Sequence, residues 1–533
     1  MVLVDFSSLI PRKDEILKSL WELYHVDSIS GQWDYIEPVL FGWAAGVVIA
    51  SYVETFGTPT EKAVAHFHEW MTAAGGLYLR KHAPYIATVF TTHATVMGRC
   101  IAGNRLPLYN DLPKFNADEL ARQFNVTAKH SIEKMAAAYH DAFLTVSDIT
   151  ANECKYLLGR EPDGVTPNGF ENDFVWAGEE YYAKRDEARR AMISVAEACL
   201  GEKFTGDPLI VGTSGRYEFR NKGIDVFIES LKQLAASDRL RREVLAYITV
   251  PAGNRGPRLD LQAHLADPSK PIDAGQYRHS THYLENATWD PIVNALKNSN
   301  LTDPGSKVKV IFVPTYLNKA DGIFHKDYYE LLVGMDITVF PSYYEPWGYT
   351  PLESVAFSIP TVTTTLAGFG IWVDKQREHA GVEVIRRDDY NDKEVEAKIA
   401  DTLLRFSLLD EKHVNEQHTS AYEISLTALW EHLFAAYEQA YSEAVESSIV
   451  RTNRAVLDGG TKTEQINFVR QQLFVEKPVW NRMMVDKTLP KRLHALEELS
   501  RNLWWCWNPG ARDLFEGIDP ALWAESDRNP IAF

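Results

Sequence analysis

Residues 336–353 read DITVFPSYYEPWGYTPLE, and this stretch restricts the fold more than any other part of the chain. The apolar run from Asp336 to Phe340 predicts a buried parallel strand, because strands covered on both faces are continuously hydrophobic. Pro346 and Gly348 then predict a tight turn. A strand, a turn and a helix in this order are typical of an α/β protein with a parallel sheet.

The residues after the turn have the pattern of a helix start. Thr350 is the predicted N-cap, Pro351 the first helical residue and Glu353 the acidic partner of a capping box. A turn that leads into a helix N-terminus presents backbone N–H groups that bind anions. An ordinary strand-to-helix connection would explain these three residues as well. It would not explain why Glu345 and Trp347 stand in the turn together with two tyrosines.

The composition of the 533-residue chain fits two or more globular domains. Its net charge of −18 argues against a nucleic-acid partner, which needs a basic face, but allows a local basic pocket for a phosphate ligand. The four cysteines lack the spacing of a metal site or a disulfide framework, which predicts a reduced, cytoplasmic setting. We expect no membrane partner, because no apolar run approaches the ~18 residues of a membrane span and no signal peptide is evident.

Alternating strands and helices predict an α/β fold with two Rossmann-like, doubly wound parallel sheets that face a cleft. Seven strands are predicted, at residues 63–67, 85–90, 143–146, 209–213, 245–250, 308–313 and 336–340. Ligands of such sheets bind beyond the carboxyl ends of the strands. Five polar residues follow strand ends in this way and predict a site: His68, His93, Ser147, Arg216 and Glu345.

The helical pattern dominates near the end of the chain. Helices are also predicted at residues 173–197 and 222–233. From residue 421 onward an apolar pattern with helical spacing predicts one buried helix face, formed by Leu426, Leu429, Trp430, Leu433, Phe434 and Tyr437. This pattern favours a core position for Trp430 over a role in sugar binding.

A second constellation follows the predicted strand 209–213. Residues 215–223 read GRYEFRNKG and place Arg216 and Lys222 six positions apart at a strand-to-helix junction. Two fixed cations can stabilise the charge that develops on a diphosphate leaving group without a metal ion. An isolated basic pair is more often an ordinary surface feature, so this assignment depends on the surrounding string.

Three strings resemble those of the glycogen synthases of the animal and fungal type, which are retaining glycosyltransferases with the GT-B fold. They are YYEPWGYTP at residues 343–351, in which Glu345 and Glu353 form a Glu-x7-Glu pair, GRYEFRNKG at residues 215–223, and TTHATVMGR at residues 91–99. The resemblance to the synthases covers about residues 1–445.

The resemblance implies a catalytic group in which Arg216 and Lys222 contact the donor diphosphate, His93 lies beside the transferred glucose and Glu345 holds the glucose hydroxyls. It implies that Arg99 lies near the phosphates and that Tyr328 stacks on the nucleotide base. The further substrate-binding residues that it implies are His68, Glu69, Asn168, Trp347, Gly348, Tyr349, Thr350 and Glu353. No metal and no cofactor are expected.

The implied reaction is front-face transfer with retention, in which the diphosphate leaves and an acceptor hydroxyl attacks the oxocarbenium-like glucose from the same side. A glycosidase would instead place two carboxylates across the scissile bond. UDP-glucose is favoured over ADP-glucose as donor partner, and an α-1,4-glucan such as glycogen is the expected acceptor. The alternatives are a nucleotide- or glucan-binding module without turnover, a sugar-nucleotide hydrolase and a transferase to a small acceptor. A homo-oligomer is also possible.

The resemblance also implies a domain organisation. An incomplete N-terminal Rossmann-like domain at 1–170 is followed by a helical connection at 171–204, a nucleotide-sugar domain at 205–395, C-terminal helices at 396–445 and a linker at 446–484. Residues 485–533 resemble the start of bacterial α-glucan phosphorylases. The expectation is therefore the synthase part of a synthase–phosphorylase fusion, truncated at both ends. No Val-Gly-Gly-Ile loop precedes Val2, and the phosphorylase-like pattern stops midway at Phe533.

Overall fold

The computed structural model describes residues 1–57, 62–272, 275–303, 305–376 and 379–457. Its strands are β1 Val64–His68, β2 Ala87–Thr92, β3 Ala142–Thr145, β4 Gly164–Val165, β5 Leu209–Ser214, β6 Val244–Thr249, β7 Asn254–Pro257, β8 His282–Leu284, β9 Val308–Val313, β10 Ile337–Val339, β11 Thr361–Thr364 and β12 Val382–Ile385.

The α-helices are α1 Lys13–Tyr24, α2 Trp33–Phe56, α3 Ala73–His82, α4 Val96–Gly103, α5 Ala117–Gln123, α6 Thr127–Tyr139, α7 Asp148–Glu153, α8 Gly178–Leu200, α9 Ile224–Ala235, α10 Leu259–Ala266, α11 Pro291–Lys297, α12 Tyr328–Leu332, α13 Tyr349–Ala356, α14 Gly368–Asp374, α15 Asp392–Ser407, α16 Glu411–Leu426 and α17 Trp430–Leu457. A π-helical turn, Cys154–Leu158, extends α7.

The larger sheet decides where a ligand can bind. Its six parallel strands lie in the order β9-β6-β5-β10-β11-β12. The chain winds outward from β5 through β6 and β9, then returns to the other side of β5 and winds the opposite way through β10. This is the doubly wound nucleotide-binding order, in which the ligand crevice lies where the winding reverses. The reversal here falls between β5 and β10, which pair at Val211 and Ile337.

The inner strands of this sheet are covered on both faces, as their continuous hydrophobicity predicts. Every residue of β5, β6, β9 and β10 is buried. One face packs on α9, α11 and α15, and the opposite face packs on α8, α10 and α12. The rigid sheet thus fixes the loops at its carboxyl edge.

The smaller sheet is also parallel, with the order β1-β2-β3-β4. Phe67, Phe90 and Phe143 on one face pack against α1, α2, α3 and α6. The other face is covered by α17, the last helix that the structure describes, through its alanines Ala440 and Ala444. The chain therefore returns to the first sheet after completing the second.

The structure confirms the α/β class and the two Rossmann-like parallel sheets. All seven predicted strands are present, with ends that differ by at most two residues. The sequence pattern missed five strands, for which no long apolar run exists: β4, β7, β8, β11 and β12. The predicted helices at 173–197 and 222–233 correspond to α8 and α9, which begin later in the chain.

The predicted single helix face from Leu426 to Tyr437 is wrong, because the chain turns between α16 and α17. The backbone of Phe170 breaks the helix there: its N–H donates to the Ala428 carbonyl at 3.2 Å, and its carbonyl accepts from the Trp430 N–H at 3.3 Å. Helix α17 continues through Leu457, so residues 446–457 are helical where a linker was predicted. The rest of the linker and the phosphorylase-like residues 485–533 lie outside the described residues.

Helix α2 corrects the expectation that no apolar stretch is long enough to span a membrane. By length and composition alone its 24 residues pass that test, with a mean hydropathy of 1.6. A core helix of a soluble protein passes the same test, and α2 packs closely on α3. Glycines make the close approach possible: a Cβ on Gly75 would lie 2.5 Å from the Gly42 carbonyl oxygen and 2.5 Å from the Phe67 ring.

We expect the change Gly75→Ala to lower the free energy of unfolding. The added methyl group meets backbone on one side and a buried ring on the other, and overpacking of this kind costs roughly 1–3 kcal/mol, more than the helix propensity that Ala gains. Urea denaturation measures the change. Gly103→Ala is the matched control, because nothing lies within 4 Å of its added Cβ. Equal stability of the two variants would contradict the close packing of α2 on α3.

Candidate functional site

The loops that follow β5 and β10 meet at the reversal point of the larger sheet. The Lys222 ammonium and the Glu345 carboxylate form an ion pair there, with side chains that are 12% and 15% exposed. These two residues are 123 positions apart in the chain. The pair thus joins the GRYEFRNKG string to the YYEPWGYTP string, as the crevice of a doubly wound sheet requires.

Backbone contacts hold the two loops together. The carbonyl of Asn221 accepts hydrogen bonds from the N–H groups of Tyr343 at 2.9 Å and Tyr344 at 3.1 Å. Gly223 has a φ of +68°, and a Cβ there would lie 1.8 Å from the Pro341 carbonyl oxygen. Only glycine permits this approach, so the sequence of both loops fixes the distance between Lys222 and Glu345.

The second predicted cation has a different setting. The side chain of Arg216 is 63% exposed, and its Nε lies 3.0 Å from Oε1 of Glu218. It belongs to the same loop as Lys222 but does not share the ion pair with Glu345. Arg216 is therefore an accessible cation at the rim of the crevice, whereas Lys222 is a partly buried one at its base.

Tyr328 lies at the carboxyl end of β5. Its hydroxyl shares a hydrogen bond of 2.6 Å with Ser214, the last residue of that strand. The neighbouring Tyr329 donates its hydroxyl to Oε1 of Glu353 at 2.9 Å. Burial raises the pKa of the Glu353 carboxyl, an effect that the Tyr329 hydrogen bond opposes.

The predicted capping box is wrong. Helix α13 begins at Tyr349, and Gly348 precedes it with a φ of +113° and no side-chain cap. Thr350 is thus inside the helix, and Glu353 bonds to Tyr329 rather than to the helix start. Gly348 itself occupies the N-cap position and has no side chain with which to cap the helix.

The aromatic residues of this turn have separate environments. Trp347 is buried, and its ring lies edge-on to Phe369 at 6.1 Å and to Trp372 at 6.0 Å between the ring centroids. Its carbonyl accepts from the Phe369 N–H at 2.7 Å. Tyr349, by contrast, is 46% exposed. A substrate can reach the Tyr349 ring but not the Trp347 ring, so the predicted contact of Trp347 would have to come from its backbone.

The first sheet contributes a row of histidines at its carboxyl edge. Nδ1 of His68 and Nε2 of His93 share a hydrogen bond of 3.0 Å, and the His66 ring stacks on His68 at 4.1 Å. Burial lowers the pKa of His93 to about 4 and that of His66 to about 3. The imidazole of His93 is therefore neutral near pH 7, where it can form hydrogen bonds without carrying charge.

Three acidic side chains hold the turn that carries His93. Glu69 accepts from the His93 N–H at 3.0 Å, Glu133 accepts from the Val96 N–H at 2.9 Å, and Glu153 accepts from the Thr95 hydroxyl at 2.6 Å. Glu133 and Glu153 are wholly buried. Burial raises the pKa of Glu133 to about 8 and that of Glu153 to about 7.

Sequence reasoning missed Glu133 and Glu153. The available signal was an acidic residue inside an apolar helix face, since Glu133 stands beside the buried Ile132 in α6 and one turn before Ala136 and Ala137. A carboxyl group in that position must find buried hydrogen-bond donors. Here it finds the turn of His93.

The remaining predicted residues border the same region. Arg99 is exposed on α4, and its charge opposes the rise in pKa of Glu69. Asn168 is buried beside Gly169, where an added Cβ would lie 2.7 Å from the Trp430 ring. Trp430 thus packs against the backbone of Gly169, but its side chain is only partly buried and does not reach the core position that was predicted. Within the part of the chain that the structure describes, no three His, Cys, Asp or Glu side chains group as metal ligands.

Comparison with known proteins assigns the family. A family model described as glycogen synthase matches residues 1–260 and 278–499, so the chain belongs to the glycogen synthase family. The family consists of glycosyltransferases with the GT-B fold, and the two parallel sheets agree with that architecture. A second model, described as a protein of unknown function, matches residues 489–533, outside the described residues.

Relatives among characterised proteins agree. The chain is 30% identical over 449 residues to the glycogen [starch] synthase of Neurospora crassa, covering 73% of this chain and 63% of the relative. It is 27% identical to glycogen [starch] synthase isoform 1 of Saccharomyces cerevisiae, covering 87% of this chain and 76% of the relative. The chain thus spans less than two thirds of the Neurospora protein.

Solved structures are more distant. The catalytic domain of starch synthase IV from Arabidopsis thaliana, bound to ADP and acarbose, has a TM-score of 0.46 and 13% identity, covering 78% of each chain. The sucrose-phosphate synthase from Thermosynechococcus elongatus has a TM-score of 0.44 and 15% identity, covering 77% of this chain and 78% of that one. The fold assignment rests on the strand order, not on these similarities.

We expect Glu133→Gln to change the pH dependence of stability. The pKa of Glu133 is raised by burial from an ordinary 4.5 to about 8, so the folded protein keeps a proton that the unfolded chain loses in this interval. That contribution to stability is complete below the unfolded pKa and disappears as the pH rises through the folded one. The stability of the parent relative to Glu133→Gln should therefore fall with rising pH, by at most about 1.4 kcal/mol per pH unit.

Urea denaturation of both proteins across this pH interval provides the measurement. Glu119→Gln, at an exposed position of α5, is the control and should give a profile parallel to that of the parent. A parallel profile for Glu133→Gln as well would mean that Glu133 is ionised in the folded protein near neutral pH.

Proposed function

We propose that this chain is a retaining glucosyltransferase that extends an α-1,4-glucan with glucose from UDP-glucose. The observation that carries the proposal is the Lys222–Glu345 ion pair at the reversal point of the second sheet. It supplies a partly buried cation for a diphosphate and a carboxylate for sugar hydroxyls at the place where nucleotides bind in such sheets. Family membership supports the reaction class.

The donor diphosphate would bind by replacing Glu345 as a partner of the Lys222 ammonium. A diphosphate is a better partner for Lys222 than a single carboxylate, because it carries more charge and more acceptor oxygens. Arg216, exposed at the rim of the crevice, would close on the same phosphates. Glu345 would then accept hydrogen bonds from the glucose hydroxyls, and Tyr328, at the carboxyl end of β5, would face the nucleotide base.

The chemical step needs no enzyme nucleophile. The bond between the glucose C1 and the diphosphate oxygen breaks, and its electron pair leaves with the phosphate, whose charge Lys222 and Arg216 stabilise. The acceptor hydroxyl attacks C1 from the same face and transfers its proton to the departing phosphate oxygen. The configuration at C1 is thereby retained.

The first sheet would provide the glucose side of the site. A neutral His93 can donate or accept a hydrogen bond beside a developing positive charge at C1, whereas a protonated one would repel that charge. Its low pKa, caused mainly by burial, keeps it neutral at the pH of the cytoplasm, where we place the protein. We propose a glucan as the acceptor, no metal requirement and no cofactor besides the sugar nucleotide.

The assay that tests this proposal offers radiolabelled UDP-glucose or ADP-glucose to the purified chain, with and without glycogen. We expect label in the glucan with UDP-glucose, less label with ADP-glucose and little release of free glucose without glycogen. Label in free glucose would indicate a hydrolase, and label in a small sugar product would indicate a transferase to another acceptor. Nucleotide binding without any transfer would leave the chain as a binding module.

Replacing either member of the ion pair should abolish most of the transfer. Lys222→Ala removes one preorganised charge contact to the leaving group, a loss of roughly 3 kcal/mol in the barrier, or about a hundredfold in kcat. Glu345→Ala should lower kcat by a comparable factor because it removes the sugar contact. The controls are Lys232→Ala and Glu229→Ala, which break an ion pair of 2.8 Å on α9 outside this site.

Two outcomes would contradict these roles. If Lys222→Ala raised only the Michaelis constant, Lys222 would bind the donor without acting on the chemical step. If the folded Glu345→Ala variant kept the parent's rate, the carboxylate would have no part in the reaction.

A further inference from the structure

A buried tyrosine next to the donor turn joins four segments of the chain. Tyr343 precedes Glu345 by two residues and is 1% exposed. Two guanidinium groups lie over its ring, with Cζ of Arg220 at 5.0 Å and Cζ of Arg387 at 5.6 Å from the ring centroid. Arg220 belongs to the loop after β5, and Arg387 follows β12.

The hydroxyl of Tyr343 reaches the first domain. It accepts a hydrogen bond from the Leu108 N–H at 3.0 Å and donates to Oδ1 of Asp389. The other carboxylate oxygen of Asp389 accepts from the Asn110 N–H at 2.6 Å, and the Asn110 side chain accepts from the Asp389 N–H at 3.2 Å. The Tyr343 hydroxyl, the Asp389 carboxylate and the side-chain oxygen of Asn110 thus all have hydrogen-bond partners at this junction.

The segment that Tyr343 contacts leads directly to the His93 turn. Residues 104–111 follow α4, and the N-terminal end of α4 is the turn held by Glu69, Glu133 and Glu153. A helix of eight residues transmits displacement as a rigid rod of roughly 12 Å. A shift of Leu108 relative to Tyr343 would therefore shift the His93 turn relative to Glu345.

We propose that Tyr343 is a positioning residue, which holds the Glu345 turn in register with the His93 side of the cleft through Asp389 and the backbone of residues 108–110. The two arginines fix the ring, and the hydroxyl fixes the distance to the first domain. The kinetic consequence rests on the proposed function, because it concerns the transfer that Glu345 and His93 would serve. The mechanical part, a junction between the two sheets, does not depend on it.

The structure offers an alternative role that the test must separate. Tyr343 is also a core residue, packed with Met97, Ile101 and Leu112. A purely structural tyrosine would affect stability when its hydroxyl is removed, but it would not selectively loosen residues 104–112 or lower kcat while nucleotide binding stayed unchanged.

The test compares Tyr343→Phe with Tyr247→Phe. Both changes remove one buried hydroxyl and keep the ring, but Tyr247 donates to the Met192 carbonyl at 2.7 Å within the second domain. Hydrogen exchange of peptides from residues 104–112 reports the Leu108 and Asn110 amides directly. UDP titration and kcat for glucan extension complete the comparison. Asn110→Ala is a second variant, made at an exposed residue where folding is not at risk.

We expect faster exchange at residues 104–112 in Tyr343→Phe and in Asn110→Ala, but not in Tyr247→Phe. In Tyr343→Phe, kcat should fall roughly tenfold or more, the usual effect of losing one buried hydrogen bond to a charged group, while UDP affinity stays at the parent's level. In Asn110→Ala, where one of several contacts is lost, the fall should be smaller.

Three results would overturn the inference. Unchanged exchange at residues 104–112 in Tyr343→Phe would show that the hydroxyl does not hold this segment. If Tyr343→Phe exchanged faster at residues 104–112 but kept the parent's kcat, the junction would exist without positioning the Glu345 and His93 turns for transfer. Equal effects of Tyr343→Phe and Tyr247→Phe on all readouts would reduce Tyr343 to a core residue. If the parent itself transfers no glucose, the proposed function fails, and the exchange comparison still decides whether the junction exists.

Discussion

The ion pair between Lys222 and Glu345 is the interaction on which the rest of the site depends. Taking two charges out of water is costly, and their attraction offsets that cost only in good geometry. The loops supply that geometry through the Asn221 carbonyl and through Gly223, which lets the chain pass against Pro341. Both loops follow strands that are wholly buried in the centre of the sheet, so the charges are attached to its core.

The two sides of the cleft differ in charge. The second domain offers Lys222, Arg216 and Glu345. The first offers neutral imidazoles, buried carboxyl groups whose pKa values are raised by desolvation and one exposed cation, Arg99. The transfer that we propose, in which an anion leaves and a cationic sugar develops, would be favoured by this division. In the proposed reaction, the charged groups would lie where the phosphate departs, and the neutral hydrogen-bonding groups where the sugar carbon becomes positive.

The sequence predicted the main parallel strands of both sheets, because a buried parallel strand appears in the sequence as a continuous apolar run. It predicted β5, β6, β9 and β10 for this reason, and the glycine- and proline-rich loops after β5 and β10 by their turn residues. It missed β11, whose residues Thr361–Thr364 are polar enough to resemble a loop, and β4, which has only two residues. Such short strands form because they pair with adjacent strands of the sheet, and their own composition does not distinguish them from loops.

The site was predictable only in part for a similar reason. The resemblance named His93, Arg216, Lys222 and Glu345, but no pattern along the chain showed that Lys222 and Glu345 pair with each other while Arg216 turns to Glu218. The capping box at Thr350 matched a common local pattern, and the geometry of Gly348 overrode it. Glu133, Glu153 and Asp389 act through partners that are distant in sequence, so tertiary contacts alone assign their roles.

A structure of this protein with UDP would test the assignment of the donor site most directly. Our assignment predicts that the diphosphate lies within hydrogen-bond distance of Lys222 and Arg216, beyond the carboxyl ends of β5 and β10. It also predicts that the base lies against Tyr328 and that Lys222 contacts the diphosphate rather than Glu345 alone. UDP bound elsewhere, with the Lys222–Glu345 pair unchanged, would contradict it.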